Sequence, residues 1–279
     1  MTIEEIIINA IKEDVGDGDH TTLATANKNL TVKMQLIVKE KGVIAGIDLA
    51  QKILNIHDTE ITMKRFLSDG DTVKAGDIAF QIEGKVSSLL SIERTMLNFM
   101  QRMSGIATYT RFLVKKIEGF KTKLLDTRKT TPLLRLIEKE AVRTGGGYNH
   151  RFGLYDMIMI KDNHIDFAGG IKNTLLMTHN YLKTQNLNLE IVIEVRNLDD
   201  IMEVLEVGKV KRILLDNFNP QTMAKAVEII NGKFETEASG NINESNIVEY
   251  AKTGVDYISI GALTHHARSL DLSLKAVMG

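Results

Sequence analysis

The sequence predicts an α/β protein in which a β-rich N-terminal domain precedes a parallel α/β barrel. Between residues 31 and 84, short segments alternate apolar and polar side chains, as half-buried strands do. After about residue 120, short apolar strands alternate with amphipathic helices, which is the pattern of parallel βα units. The chain has 279 residues, enough for two domains with substantial cores.

The composition is that of an ordinary globular chain, with 43% hydrophobic residues, 25% charged residues and a net charge of −1. No cysteine is present, which excludes disulfides, thiolate nucleophiles, iron–sulfur clusters and cysteine-based zinc sites. The N-terminus lacks the basic and apolar segments of a secretory signal, and no apolar run approaches a membrane span in length. We therefore expect a cytoplasmic protein that is not bound to a membrane.

The first element is predicted to be a helix, because Thr2 and Glu5 have the spacing of a capping box. The acidic stretch 13–20 fits a loop; a cation site is the less favoured alternative, because the spacing fits no hand-type calcium loop. Strands are predicted over 32–40, 60–66 and 78–83. Residues 70–77 are similar to the hairpins of biotinyl or lipoyl carrier domains, but no lysine stands at an obvious modification tip, so a structural sandwich is preferred.

A long helix is predicted from Ser91, and its many methionines indicate a core or subunit contact rather than a cofactor site. Further strands are predicted over 123–126, 157–161, 191–195, 213–216, 234–238 and 257–260, and helices over 132–143, 172–183, 199–206, 221–230 and 244–253. Six such units favour a barrel over a flat sheet. In βα barrels the chemistry lies at the carboxyl ends of the strands. The side chains predicted there are Arg128, Lys129, Lys161, His164, Glu194, Asp216, Ser239 and Gly261.

Positive charge is concentrated between residues 128 and 151, where six Lys or Arg stand against two Glu. For Arg135, Lys139 and Arg143, on the intervening helix, a solvated face is an equally good interpretation. Cationic side chains at strand ends and in the following loop can instead converge on a ligand, namely Arg128, Lys129, His150, Arg151 and Lys161. The planar fork of arginine suits carboxylate and phosphate oxygens, so we expect an anionic small molecule. Nucleic acid is not expected, because no aromatic residue interleaves this run before Tyr148.

Two carboxylates, Glu194 and Asp216, end successive predicted strands and would stand near each other in a barrel. They fit a general acid and base, a Mg²⁺ site completed by water, or a structural pair satisfied by lysines. The segments Ser239-Gly240-Asn241 and Ser259-Ile260-Gly261-Ala262 end the last two strands. Small residues at this position of a barrel suit a phosphate, because the backbone can approach it closely.

A series of short motifs runs in order along nearly the whole chain. These are Glu93-Arg94-Thr95, Ser104-Gly105-Ile106-Ala107-Thr108, Asp126-Thr127-Arg128-Lys129-Thr130, Gly145-Gly146-Gly147, Asn149-His150-Arg151, Lys161-Asp162-Asn163-His164, Leu215-Asp216-Asn217-Phe218 and Gly261-Ala262-Leu263-Thr264-His265. Together they closely resemble the quinolinate phosphoribosyltransferase family, also called nicotinate-nucleotide pyrophosphorylases.

The resemblance implies the type II phosphoribosyltransferase architecture. An N-terminal α/β sandwich domain over 1–110 would be followed by an incomplete α/β barrel over 111–279, with the C-terminal segment packing back on the first domain. It implies a homodimer, or a higher oligomer, with active sites shared between subunits. The implied reaction converts quinolinate and phosphoribosyl pyrophosphate to nicotinate mononucleotide, pyrophosphate and carbon dioxide, in de novo NAD biosynthesis. Mg²⁺ is implied, and no organic cofactor.

The resemblance also implies a role for individual residues. The implied quinolinate site contains Arg128, His150, Arg151 and Lys161, with Arg94 contributed by the second subunit. Lys129 is implied at the pyrophosphate, and Glu194 and Asp216 at the ribose and Mg²⁺; with Lys161 these form the implied catalytic set. The implied phosphate loops contain Ser239, Gly240, Asn241, Gly261 and Ala262. Thr127 and His265 complete the implied substrate-binding residues.

The chain departs from the family pattern at two positions. Asn241 stands where a second glycine is frequent, and Val192 stands where an additional glutamate is frequent. Three alternatives to the phosphoribosyltransferase stay open. One is a related protein associated with molybdenum transport, and another is a barrel lyase that uses Lys161 in a Schiff base. The third is a catalytically silent sensor of a phosphorylated metabolite.

Overall fold

The computed structural model describes residues 1–27 and 30–277, and the chain forms two compact units. The first unit contains Met1–Phe112, Thr130–Gly146 and the chain from Leu263 onward. The second contains Leu113–Lys129 and Gly147–Ala262. The domain boundary between 110 and 111 stays a prediction. In the described part of the chain, no helix has the length and apolar character to cross a membrane.

The strands of the first unit form two antiparallel sheets. They are β1 (Thr31–Val38), β2 (Gly42–Val43), β3 (Thr62–Arg65), β4 (Thr72–Val73), β5 (Ile78–Lys85) and β12 (Leu272–Ala276). The larger sheet has the order β12-β1-β5-β3, and β2 pairs with β4. The predicted strands correspond to β1, β3 and β5. The sequence analysis missed β12, which pairs with β1 from Met34↔Ala276 to Val38↔Leu272.

The first three helices of the first unit differ from the predictions at two places. Helix α1 (Ile3–Val15) has the predicted capping box, in which Thr2 and Glu5 exchange hydrogen bonds of 2.7 and 3.2 Å. It covers the first three residues of the acidic stretch 13–20, and a short helix α2 (His20–Thr25) follows, so a loop over the whole stretch was wrong. Helix α3 (Ile47–His57) lies where only strands were predicted, and it buries Ile53 and Leu54 on one face. Among the described residues no cluster of three or more metal-ligating side chains occurs.

Three further helices lie wholly or mostly in the first unit. Helix α4 (Val86–Lys116) begins at Val86 rather than at the predicted Ser91. Helices α5 (Arg135–Thr144) and α11 (Ala262–His265) follow later in the chain. Gly105 in α4 is a close-approach position, because a Cβ there would lie 2.0 Å from the Arg268 carbonyl oxygen. This part of the family motif is therefore required for packing.

The second unit contains a parallel sheet of six strands, as predicted. The strands are β6 (Lys123–Leu125), β7 (Ile158–Ile160), β8 (Ile191–Val195), β9 (Arg212–Asp216), β10 (Glu235–Ser239) and β11 (Tyr257–Ser259). The helices are α6 (Asp162–Ala168), α7 (Ile171–Thr184), α8 (Leu198–Val207), α9 (Pro220–Ile230) and α10 (Ile247–Lys252). The order β6-β11-β10-β9-β8-β7 places the first two strands at opposite edges, as expected for an incomplete barrel.

The strand register separates a polar face of this sheet from an apolar one. Glu194 lies opposite Leu214, and Leu214 lies opposite Glu237. Because side chains alternate along a strand, Asp216 and Ser239, two residues further on, share that face. We call it the polar face. Ile193, Leu215, Ala238 and Ile258 occupy the other face and are fully buried.

Candidate active site

The first part of the site is an ion pair between the ends of β7 and β8. Lys161 directly follows β7, and the register Ile160↔Ile193 brings it beside Glu194. The Nζ of Lys161 lies 3.0 Å from Oε2 of Glu194. The Glu194 side chain is 9% exposed and that of Lys161 is 48% exposed. Since an ammonium has three protons, Lys161 can hold Glu194 and still donate to a bound anion.

Asp216 places a second carboxylate on the polar face. It ends β9, lies opposite Ser239 in the register and is half-buried. Its Oδ2 accepts a hydrogen bond of 2.7 Å from the side-chain amide of Asn217. Neighbouring parallel strands therefore present Glu194 and Asp216 toward the same edge of the sheet, as predicted for barrel strand ends.

The loop after β10 is fixed against the loop after β9. Gly240 has φ +93°, and a Cβ there would lie 2.2 Å from Oδ1 of Asn217, so only glycine fits. Asn241 has φ +52°, which asparagine tolerates better than most residues, and its amide donates to Oδ1 of Asn217 over 3.1 Å. The substitution of the frequent glycine by Asn241 is thus compatible with a left-handed loop. Gly261 and Ala262 follow the neighbouring strand β11, which pairs with β10 and β6.

Asp126 orders the loop that carries His150 and Arg151. Tyr148 pairs in parallel with Leu125 at the β6 edge, so the following residues continue past the carboxyl end of that strand. Asp126 is fully buried, and its carboxylate accepts hydrogen bonds from the Asn149 side chain over 2.5 Å and the His150 main chain over 2.8 Å. The sequence analysis quoted Asp126 only as part of a motif and did not assign it this role.

Arg151 is the buried cation of the site. It is 8% exposed, and its Nη1 donates to the Met157 carbonyl oxygen over 3.1 Å. Burial and the nearby charge of Arg128 lower the pKa of Arg151 from its ordinary value, while Asp156 opposes them. A cation that is both desolvated and close to another cation gains most from a bound anion. This arrangement fits a carboxylate or phosphate ligand.

The remaining predicted residues lie in both units. In the second unit, Thr127 is half-buried and accepts a hydrogen bond of 3.1 Å from the Lys129 main chain. In the first unit, Arg94 is exposed on α4 and His265 is exposed at the end of α11. On α5, Lys139 is only 4% exposed, so a solvated face was wrong for that residue; Arg143 is exposed.

Two charged residues of the polar face were missed by the sequence analysis. Arg212 and Glu237 are 7% and 0% exposed, and they form an ion pair of 2.8 Å. The alternation of Glu235, Glu237 and Ser239 in one strand is a signal for Glu237, since it places all three on one face, but it does not point to Arg212.

Comparison with known families agrees with this geometry. The model of the quinolinate phosphoribosyl transferase N-terminal domain matches residues 19–104, and that of the C-terminal domain matches residues 106–275. The chloroplastic nicotinate-nucleotide pyrophosphorylase (carboxylating) of Arabidopsis thaliana is 43% identical, over 98% of this chain and 82% of its own length. A quinolinate phosphoribosyltransferase (decarboxylating) of Nicotiana tabacum is 42% identical over the same shares.

A solved structure extends the similarity to the whole fold. The crystal structure of NadC from Streptococcus pyogenes has a TM-score of 0.93 and 39% identity, and the match covers 99% of this chain and 97% of that one. The predicted fold class and phosphoribosyltransferase activity are confirmed, and neither the molybdenum-transport relative nor the Schiff-base lyase is favoured. Matched over both domains and nearly its full length, the chain belongs to the quinolinate phosphoribosyltransferase family.

Proposed function

We propose that the carboxyl end of the parallel sheet binds quinolinate and phosphoribosyl pyrophosphate and converts them to nicotinate mononucleotide, pyrophosphate and carbon dioxide. The observation that carries the assignment to this end is the buried Arg151, close to the charge of Arg128 and following the β6 edge. Two carboxylates make quinolinate a dianion, and such a site favours dianions over neutral ligands.

Quinolinate is held by three cations in this proposal. Arg128 and Arg151 are guanidinium groups, which suit bidentate contacts with a carboxylate. Lys161 supplies an ammonium that Glu194 already orients over 3.0 Å. The same contact argues against a Schiff-base lyase, because a lysine that forms an imine must present a neutral amine rather than an ammonium held by a carboxylate.

The two carboxylates near the carboxyl ends of β8 and β9 act on the ribose. As pyrophosphate leaves, positive charge develops at the anomeric carbon, and a fixed carboxylate stabilises it. Glu194 and Asp216 fill this role, and Lys129 contributes charge toward the pyrophosphate. The pyridine nitrogen then bonds to the anomeric carbon and becomes cationic. When carbon dioxide leaves, the electron pair of the broken bond stays on the ring carbon beside that nitrogen, and the carbon then takes a proton.

Mg²⁺ fits this donor set in part. It prefers one or two carboxylates together with water and substrate phosphate oxygens. Glu194 and Asp216 are such carboxylates, and the described residues include no larger ligand cluster, so most ligands would come from substrate and water. When bound, Mg²⁺ would neutralise charge on the pyrophosphate.

The loops after β10 and β11 bind the 5′-phosphate in this proposal, through Ser239, Gly240, Asn241, Gly261 and Ala262. The left-handed backbone at Gly240 and Asn241 supports it, since main-chain N–H groups in such turns can surround an anion. Roles for Thr127 and His265 in substrate binding rest on the family resemblance.

We also propose that the enzyme is a homodimer in which Arg94 of one subunit serves the site of the other. This rests on the family resemblance and on the exposure of Arg94 on α4. Assembly beyond a dimer and the cytoplasmic location stay predictions.

The test compares kcat/KM for quinolinate and for nicotinate, each with phosphoribosyl pyrophosphate and with or without Mg²⁺, while carbon dioxide is measured. Nicotinate lacks the carboxylate beside the ring nitrogen, and each lost charge-assisted contact costs roughly 1.5–3 kcal/mol, or about ten- to a hundredfold. We expect quinolinate to be preferred by at least that factor.

Paired variants connect the activity to the site. Lys161→Met should abolish most turnover of quinolinate. Lys172→Met is the matched control, because Lys172 forms a comparable pair of 2.6 Å with Glu206 on the surface and should leave turnover unchanged. Equal efficiency with nicotinate, or equal loss in both variants, would overturn the proposal.

A further inference from the structure

A buried group of charged residues lies on the polar face, nearer the start of the strands than the proposed substrate site. Glu237 on β10 is fully buried, and its Oε2 accepts a hydrogen bond of 2.8 Å from Nη1 of Arg212. Arg212 also donates from Nε and Nη2 to Glu235 over 3.1 and 3.0 Å, and its guanidinium lies 3.8 Å from the centre of the Tyr257 ring. The proposed mechanism uses none of these residues.

The same carboxylate faces His150. The His150 side chain is 4% exposed, and its Nε2 lies 3.2 Å from Oε2 of Glu237. Its other ring nitrogen, Nδ1, accepts the main-chain N–H of Arg151 over 2.7 Å. An accepting Nδ1 carries no proton, so the proton of the neutral ring is on Nε2. Nε2 lies beside the Glu237 carboxylate without a hydrogen bond of ordinary geometry, so the contact with Glu237 is electrostatic.

We propose that His150 is a positioning residue and that Glu237 fixes its tautomer and orientation, so that the ring holds the main chain of Arg151 where its guanidinium meets a substrate carboxylate. The inference rests on the proposed function and changes one part of it. His150 belongs to the quinolinate site through Arg151, and it does not itself donate a hydrogen bond to quinolinate.

The electrostatics keep Glu237 ionised for this task. Burial alone would raise the pKa of Glu237, but the contact with His150 and the charge and hydrogen bond of Arg212 oppose the burial, and the pKa lies below its ordinary value. With a neutral His150 ring, the guanidinium of Arg212 is the charge that keeps Glu237 ionised. Arg212 is itself held by Glu235, so the carboxylate of Glu237 is ionised and immobile. A fixed anion at Nε2 favours the tautomer with the proton on that nitrogen.

Loss of this anion has a specific consequence. A ring with its proton on Nδ1 would place two donors, that N–H and the main-chain N–H of Arg151, against each other. The Arg151 main chain would have to move, and its guanidinium would move with it. The groups assigned to phosphoribosyl pyrophosphate lie outside the Arg151 loop and would be little affected. Because Ser239, Gly240 and Asn241 follow Glu237 at the end of β10, a second variant on β10 is needed as the control for a direct effect on that loop.

The kinetic test compares Glu237→Gln with Glu235→Gln. Both residues are on β10 and both bind Arg212, but the contact of 3.2 Å with His150 belongs to Glu237. We expect Glu237→Gln to raise KM for quinolinate by roughly tenfold or more, as loss of an orienting partner does elsewhere, with KM for phosphoribosyl pyrophosphate changed less than about twofold. Glu235→Gln should leave both constants within about twofold. Equal effects of the two variants, or equal changes in both KM values, would overturn the inference.

A second comparison asks whether Glu237 acts through His150. In a His150→Ala background, Glu237→Gln should produce no further rise in KM for quinolinate, because the residue it orients is gone. Independent, multiplying effects would show that His150 and Glu237 act separately and would refute the proposal.

A measurement on the unmodified chain avoids variants that fail to fold. Nitrogen NMR of the chain labelled at histidine should show the His150 ring as the neutral tautomer with its proton on Nε2. An imidazolium, or a proton on Nδ1, would refute the inference. If the unmodified chain shows this tautomer but does not turn over quinolinate, the proposed function fails while the geometry of His150 stands.

Discussion

Glu138 of α5 offers a strong test of how the first unit is stabilised. It is fully buried and belongs to no predicted subsite. Its carboxylate accepts hydrogen bonds from Nε and Nη2 of Arg102 over 3.1 and 2.9 Å, and from the main chain and hydroxyl of Thr131 over 3.0 and 2.8 Å. Glu138→Ala removes all of these acceptors and leaves a cavity beside Arg102, whose side chain is 24% exposed.

The expected loss of stability follows from that burial. Removal of one partner of a buried ion pair costs about 3–5 kcal/mol. Because Arg102 is partly exposed and can be rehydrated, we expect about 2–4 kcal/mol for Glu138→Ala. For domains of this size that corresponds to a fall in Tm of about 5–15 °C. Glu138→Gln should lie between the wild type and Glu138→Ala, since glutamine keeps one acceptor.

Calorimetry is the assay, and Glu140→Ala is the matched control. Glu140 lies on the same helix, is about half exposed and pairs with Arg143 at the surface, so its loss should cost less than about 0.5 kcal/mol. An unchanged Tm in Glu138→Ala, or the same loss in Glu140→Ala, would refute the reasoning.

Two further predictions concern assembly and pH. If sites are shared between subunits, mixing inactive Arg94→Ala and Lys161→Ala chains should restore activity through one intact site per heterodimer; no recovery after verified subunit exchange would contradict sharing. Asp256 is partly buried, which raises its pKa, but hydrogen bonds from Lys121 and Thr236 hold the pKa below its ordinary value. Ionised Asp256 therefore stabilises the folded chain. This contribution is fully present above the unfolded-state pKa of about 3.9 and is lost as the pH falls through the lower folded-state pKa. The difference in urea stability between wild type and Asp256→Asn should narrow below about pH 4, and a constant difference would contradict the assignment.

The βα half of the fold could be predicted because each of its strands has a local signal. Residues 191–195 are apolar except for Glu194, and the observed strand β8 has the same limits. The sequence does not identify β12 as readily, since its five residues become a strand by pairing with β1, far away in the chain. Helix α3 was missed because strand-like segments lie on both sides of it. Gly46, which precedes the helix, has φ +94° and no side chain to cap it, so the usual local signal is absent. The carboxylate of Asp69, distant in the sequence, accepts the first main-chain N–H groups instead.

The site could be predicted for residues at or just after the carboxyl end of a strand, and not for residues nearer the middle of one. Lys161, Glu194 and Asp216 were placed at one edge by a general rule about parallel strands. Glu237 lies inside β10, where a charged residue in one sequence does not reveal its partners. The strand register pairs Glu237 with Leu214 and therefore places Glu237 on the same face of the sheet as Arg212. The sequence alone does not show this register, so it does not identify Arg212 as the partner of Glu237.

The carboxylates around Arg151 share a feature that bears on how the site remains able to bind a dianion. A carboxylate that paired fully with each cation would orient it but would also neutralise it. Asp126 and Asp156 instead accept main-chain N–H groups of the loop around Arg151, and the Arg151 guanidinium donates to a neutral carbonyl. Glu237 faces the ring of His150, and Glu194 takes one of the three Lys161 protons. Arg151 is thus fixed through main-chain and imidazole contacts, so its charge remains directed at the substrate.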